Sequence, residues 1–292
     1  MKLKNTIFFT ISIVSFVSCI KDGEITCPVN ANIEISIQDK NYRNVRDIER
    51  LSPVDENSPL VDFIHSLSLS SIEPVSHLRN TQSLILYPTE KIKTIPASLF
   101  REGTYEMVAL GNYTSGDQSG ETVLFPLNLH PEGSEGQDIY LGQDRFEVPL
   151  SEDKLIQLKR TKGKLLIQFV GFTADMATVD IQVKSVFASV DEYFNYSGTT
   201  DVEKIFDLNQ SDVGNYWGII LAPTDDSGES LVEMKIYDNN RNLLSRISGI
   251  PVVISRNNIT VLRQRYLQEK DKWELSLFVD GNWEVIHTLV IG

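Results

Sequence analysis

The chain has 292 residues, with 27 Lys and Arg against 40 Asp and Glu, a net charge of −13. So acidic a surface repels phosphates and anionic headgroups, which excludes nucleic acid as a partner and excludes membrane adhesion through basic residues. Two cysteines exclude a disulfide framework and a cysteine-built zinc site.

In chain order, Lys2 and Lys4 precede an uncharged, mostly apolar run from Ile7 to Val17. As a helix rising about 1.5 Å per residue, that run spans only about 16 Å. A bilayer core needs about 20 apolar residues, so this is the h-region of a signal peptide and not a membrane span. Phe16-Val17-Ser18-Cys19 follows and resembles a bacterial lipobox, with Phe16 in place of the usual Leu. The resemblance implies cleavage before Cys19, acylation of its thiol and amine, removal of residues 1–18, and a lipidated tether over residues 19–30. Several acyl chains at about 0.8 kcal/mol per buried methylene would hold the protein on a membrane permanently. Lys21, Asp22 and Glu24 lie directly behind Cys19, similar to the surface-export signal of Bacteroidota lipoproteins. The same residues also allow an ordinary secreted protein cut near Ser18, with Cys19 and Cys27 in a disulfide.

Beyond the tether the chain reads as short strands separated by Gly, Asn, Asp and Pro. Ile33, Ile35 and Ile37 alternate with polar residues, the pattern of a half-buried strand. Lys40–Leu51, with Arg43, Arg46 and Arg50, reads as a solvated connector. Strands are expected over Asp62–Leu69, with His65 among its residues, over Gln82–Tyr87 and over Tyr105–Leu110. Ile95–Gly103 and the Gly-rich Ser115–Gly120 read as loops. Thr122–Leu127 and Asp138–Val148 complete the first set. Pro149–Lys154 is a polar break, which predicts one β-sandwich over residues 31–150 and a second over residues 151–292.

The second set opens with the strongest alternations in the chain, Leu165/Ile167/Phe169 and Val179/Ile181/Val183. Thr200-Asp201-Val202-Glu203 has the capping-box pattern and predicts a short helix through Leu208. Trp217–Leu221, Leu231–Tyr237, Leu243–Ile247, Val252–Ile254 and Ile259–Tyr266 are further expected strands. Trp273–Val279 and Trp283–Ile291 flank Asp280-Gly281, a hairpin signal. Strands at this spacing, with turn chemistry between them, predict an all-β chain of two tandem sandwiches.

Few residues carry chemistry. His65, His77, His130 and His287 show no metal-ligand spacing. Asp225-Asp226-Ser227-Gly228 is too short an acidic ladder for an EF-hand and reads as a turn. Gly116–Gly120 is similar to a serine-hydrolase nucleophile segment only in its Gly-Xaa-Xaa-Ser-Gly outline, with no His or Asp partner in view. No phosphate loop or dinucleotide fingerprint is present. The expectation is a protein that is not an enzyme and has no cofactor, no metal and no catalytic residue. Trp217, Trp273 and Trp283 fit core packing, and alternatively a sugar-stacking platform.

Three stretches together resemble the FimB-type fimbrial anchor family of Bacteroidota. They are Cys19-Ile20-Lys21-Asp22 through Cys27-Pro28 running into the Ile33–Ile37 strand, Gly103–Asn112, and Lys162–Phe169 with Thr178–Val186. The resemblance implies two transthyretin-like β-sandwiches and a surface lipoprotein at the base of a fimbrium. It implies stalk subunits as partners, and the outer membrane as the location through the lipid on Cys19. In stalk subunits of this kind a protease cuts after an Arg and removes the first strand. A lipidated anchor cut at Arg43, Arg46 or Arg50 would lose its tether, so here the strand is expected to stay. The alternative is a surface glycan-binding lipoprotein of a nutrient-uptake system, for which tryptophans exposed together on one face would speak.

Overall fold

The computed structural model describes residues 31–72, 79–113, 124–171, 173–208, 216–267, 270, 272–279 and 281–290, the last four without their side chains. Cys19, Cys27, His77, the Gly116–Gly120 segment and the side chain of His287 lie outside the described residues.

The chain is all-β. Its N-terminal part holds β1 (Asn32–Ile37), β2 (Leu67–Ile72), β3 (Arg79–Leu84), β4 (Lys93–Pro96), β5 (Gly103–Gly111), β6 (Leu127–Asn128), β7 (Tyr140–Val148) and β8 (Lys154–Arg160). All but β6 form one sheet in the order β3-β2-β5-β7-β8-β1-β4. β7 and β8 pair only at Tyr140↔Arg160 and Leu141↔Lys159. The sheet turns there and folds over into two layers. Ile33, Ile35 and Ile37 from one layer pack with Leu67, Leu69, Tyr105, Met107 and Phe146 from the other.

β1 is an inner strand, parallel to β8 and antiparallel to β4. Its three isoleucines face the core with at most 6 % exposure, as their alternation requires. At about 1.5–3 kcal/mol per buried side chain they bind the strand firmly to this sheet. The polar Pro149–Asp153 stretch is the turn between β7 and β8, and β8 joins the first sheet beyond it.

The C-terminal part holds β9 (Gly163–Val170), β10 (Met176–Val190), β11 (Tyr196–Asp207), β12 (Tyr216–Leu221), β13 (Ser230–Asp238), β14 (Leu243–Val252), β15 (Ile259–Leu267), β16 (Lys272–Val279) and β17 (Asn282–Val290). One sheet runs β11-β10-β13-β14, with β6 added to β10, and the other runs β12-β9-β15-β16-β17. Leu165, Ile167 and Phe169 of β9 meet Val179, Ile181 and Val183 of β10 in one core, all at 5 % exposure or less. Phe169 packs edge-on against Trp217 with ring centroids 5.3 Å apart.

Several expectations need correction. Thr200–Leu208 is not a helix. Thr200–Asp207 belongs to β11, which pairs with β10 from Tyr196↔Val190 to Asp207↔Thr178 and buries Val202 and Phe206. A capping box is worth about 1 kcal/mol, less than a long strand pairing with two buried side chains. The strand expected over Asp62–Leu69 starts only at Leu67, after a 3-10 turn at Leu60–Asp62. His65 is exposed in the connection, its backbone N–H donating to Asn112 Oδ1 at 2.7 Å. The third strand lies three residues earlier than expected, and Lys93–Pro96, read partly as loop, pairs with β1. Trp283–Ile291 is read correctly as half of a hairpin, since β17 pairs with β16 from Val279↔Asn282 to Lys272↔Val290.

Candidate functional site

The two parts meet through segments that each sends onto the other. β6 of the first part pairs with β10, and the loop after it runs along the second part. In return the β10–β11 hairpin reaches over β5. Its Tyr193 hydroxyl donates to Glu106, and Glu192 pairs with Arg79 at 3.2 Å. Val108 and Leu110 of β5 share a small core there with Leu127, Leu129, Leu141, Val190 and Ala222.

Lys40–Leu51 is not a solvated connector. Asn44 brackets Ile259, donating from Nδ2 to its carbonyl at 2.7 Å and accepting from its N–H at 2.9 Å. Ile48, 3 % exposed, packs on Leu166, Tyr216, Ile259 and Val261. Tyr42, Val45 and Leu51 pack beside it half-buried, and the charged residues between these four apolar positions hid the contact. Arg43, Arg46 and Arg50 point outward from this strap and are exposed.

A buried polar cluster sits where the strap, β7, β8 and the loop before β15 converge. Arg160 Nε donates to Asp138 Oδ2 at 2.9 Å, its NH1 to Asn257 Oδ1 at 3.3 Å, and its NH2 to the Tyr140 hydroxyl. Tyr42 covers the guanidinium face at 4.0 Å. Asp39 Oδ2 accepts from the Arg160 N–H at 3.0 Å and from Arg256 NH1 at 3.3 Å. Burial pushes the Asp138 carboxyl up, and Arg160 beside it opposes that shift. Lys162 is fully buried, donating to the carbonyls of Leu129 at 2.5 Å and Glu135 at 2.7 Å. Burial lowers its ammonium to about 8. The sequence signal for this cluster was weak: Arg160-Thr161-Lys162 looks like any charged turn.

His130 is consumed structurally. Its Nδ1–H donates to the Ser134 carbonyl at 2.9 Å and its Nε2 accepts the Ala222 N–H at 2.9 Å. Burial first, then the nearby Lys162, lower its pKa to about 3. The unfolded chain, with an ordinary value near 6.5, therefore binds the proton that the folded chain refuses. The stability from a neutral His130 is complete above pH 6.5 and is lost as pH falls toward 3. Between pH 7 and pH 4 the wild type should lose about 3 kcal/mol more than His130→Gln in urea unfolding. Equal losses would show that the ring does not resist protonation.

Asp225 holds a turn, accepting from the Ser227 N–H at 2.9 Å and from the Thr199 hydroxyl at 2.8 Å. Among the described residues, no three His, Cys, Asp or Glu side chains gather as a metal site. Trp217 and Trp273 are core residues at 4 % and 1 % exposure. Trp283 is half-buried, stacked against Arg263 at 3.5 Å and Phe278 at 5.2 Å. The three tryptophans do not make a common exposed face.

No protein-family model matches the chain, and no curated protein matches it. Among solved structures, a candidate adhesin from Bacteroides ovatus aligns over 88% of this chain and 95% of its own, at 12% identity and a TM-score of 0.50. A candidate polysaccharide-binding protein from Bacteroides thetaiotaomicron aligns over 88% and 98%, at 9% identity and a TM-score of 0.51. The fimbrial anchor protein Mfa2 from Porphyromonas gingivalis aligns over 89% and 99%, at 12% identity and a TM-score of 0.44. At these identities the likeness is one of fold, and it rests on the first two. This chain is similar to them along nearly the whole of both chains.

Proposed function

We propose that this protein is a fimbrial subunit of the cell surface, the anchor at the base of the fimbrium. In this reading it is held in the outer membrane by lipid on Cys19, binds stalk subunits and performs no catalysis. The observation that carries the reading is the placement of β1. It follows the lipobox segment by only a dozen residues and is locked between β8 and β4 by three buried isoleucines. Force on a fibre attached to this body is thereby passed to the tether through a strand inside a sheet. The end-to-end fold likeness to a candidate adhesin supports the same reading. Cleavage after Ser18 would also remove Lys2 and Lys4 and take the net charge from −13 to −15. That leaves the acyl chains as the membrane contact. The proposed division is a tether over residues 19–30, a first sandwich that takes in β8, and a second sandwich from β9 onward.

Replacing Cys19 by Ala should release the protein from the membrane fraction and fimbriae from the cell. Retention of the variant in the membrane would overturn the anchor reading. N-terminal analysis of the surface protein should find a chain beginning at Cys19. A dominant species beginning at Asn44, Asp47 or Leu51 would instead make this a processed stalk subunit. A glycan-binding lipoprotein is the second reading, supported by the fold likeness to a candidate polysaccharide-binding protein. Two of the three tryptophans being packed in the core counts against it.

A further inference from the structure

A sheet exposes unpaired N–H and C=O groups along each edge strand, and such an edge is a template for another chain. β12 is the edge of the second sandwich's five-stranded sheet and reads Tyr-Trp-Gly-Ile-Ile-Leu. It is apolar, uncharged and without proline, the composition that pairs most readily with a further strand. Two peptide groups of the strand are already engaged by side chains. The Gly218 carbonyl accepts from Lys204 Nζ at 2.7 Å, and the Ile220 N–H donates to Glu135 Oε1 at 2.6 Å. Next along the chain, the Ala222 N–H donates to His130 Nε2 at 2.9 Å. Lys204 and Glu135 pair with each other at 2.6 Å.

These side chains stand where the backbone of an added strand would lie. Lys204 comes from β11 of the facing sheet, and Glu135 and His130 come from the loop after β6. That loop cannot drift away. Lys162 holds its Leu129 and Glu135 carbonyls, and at Gly136, with φ +64°, an added Cβ would lie 2.6 Å from the Leu129 oxygen. The Glu135 and Lys204 side chains remain 23% and 30% exposed, so water has access to this edge. Water would satisfy the same peptide groups almost as well, so the net stabilisation is small. What the arrangement changes is access to the edge.

We propose that Glu135, Lys204 and His130 form a plug that closes the β12 edge against pairing with the β12 edge of a second copy of this chain. An antiparallel β12–β12 contact is self-complementary about a twofold axis, so the strand that best fits an unplugged edge is its own copy. The inference is independent of the fibre role proposed above.

The double variant Glu135→Ala/Lys204→Ala tests it, in the full mature chain, by sedimentation at rising protein concentration and by amide hydrogen exchange. The wild type should sediment as a monomer. The variant, with native circular dichroism, should double in mass and slow its exchange over residues 216–222. A folded variant that stays monomeric, or one that dimerises without new protection over those residues, overturns the proposal. If the double variant does not fold, the single variants Glu135→Ala and Lys204→Ala decide. Each removes one of the two side chains that cover the β12 edge. Self-association of either that protects residues 216–222 supports the plug, and folded, monomeric proteins in both cases overturn it.

Discussion

Phe169→Ala should destabilise the protein by about 3–5 kcal/mol, the range for deleting a buried aromatic ring from a packed core. The ring sits at 5 % exposure on β9, edge-on to Trp217, facing the strand that carries Val179, Ile181 and Val183. Its removal leaves a cavity between two sheets that are each braced by their own hydrogen bonds, so the layers cannot collapse far to fill it. Urea unfolding at neutral pH measures the loss as a lower midpoint at unchanged slope. A loss below about 1 kcal/mol would mean that Phe169 does not face the shared core.

Arg160→Ala should cost about as much, about 3–5 kcal/mol, for a different reason. The guanidinium is the common partner of Asp138, Asn257 and the Tyr140 hydroxyl, and its removal strands an acid whose carboxyl burial already pushes up. Most of the cost is the charge left behind, so Arg160→Met combined with Asp138→Leu should be less damaging than the sum of the two single changes. Strict additivity in that cycle would show that the two groups are not coupled in the folded state. The same residue joins β8 to the loop before β15, so the single variant should also loosen the two sandwiches from each other. Faster amide hydrogen exchange over residues 255–258, with the core strands of both sandwiches still protected, would reveal it.

How much was legible in the sequence follows from the range of the forces involved. Alternation of period two is written residue by residue. Ile33/Ile35/Ile37, Leu165/Ile167/Phe169 and Val179/Ile181/Val183 therefore announced their strands and their buried faces without help from the rest of the chain. Turn chemistry is equally local, and the β16–β17 hairpin followed from it. What stayed hidden depends on partners distant in sequence. Thr200–Glu203 carries a sound local helix signal, overruled by a strand that only the folded chain brings alongside. Asn44 reads as a loop residue until Ile259, 215 positions away, presents both of its peptide groups to it. Nothing local to Arg160 or Glu135 marks either as more than a surface charge; the fold of the first sheet gives one an acid 22 positions away, and the approach of the second sandwich gives the other a sheet edge to cover. The sequence by itself determined the all-β class, the strand faces and the lipobox-like start, because side-chain periodicity and composition are local properties. The tertiary structure alone decided which polar residues are buried, because a charge leaves water only where a partner from elsewhere in the chain is already in place.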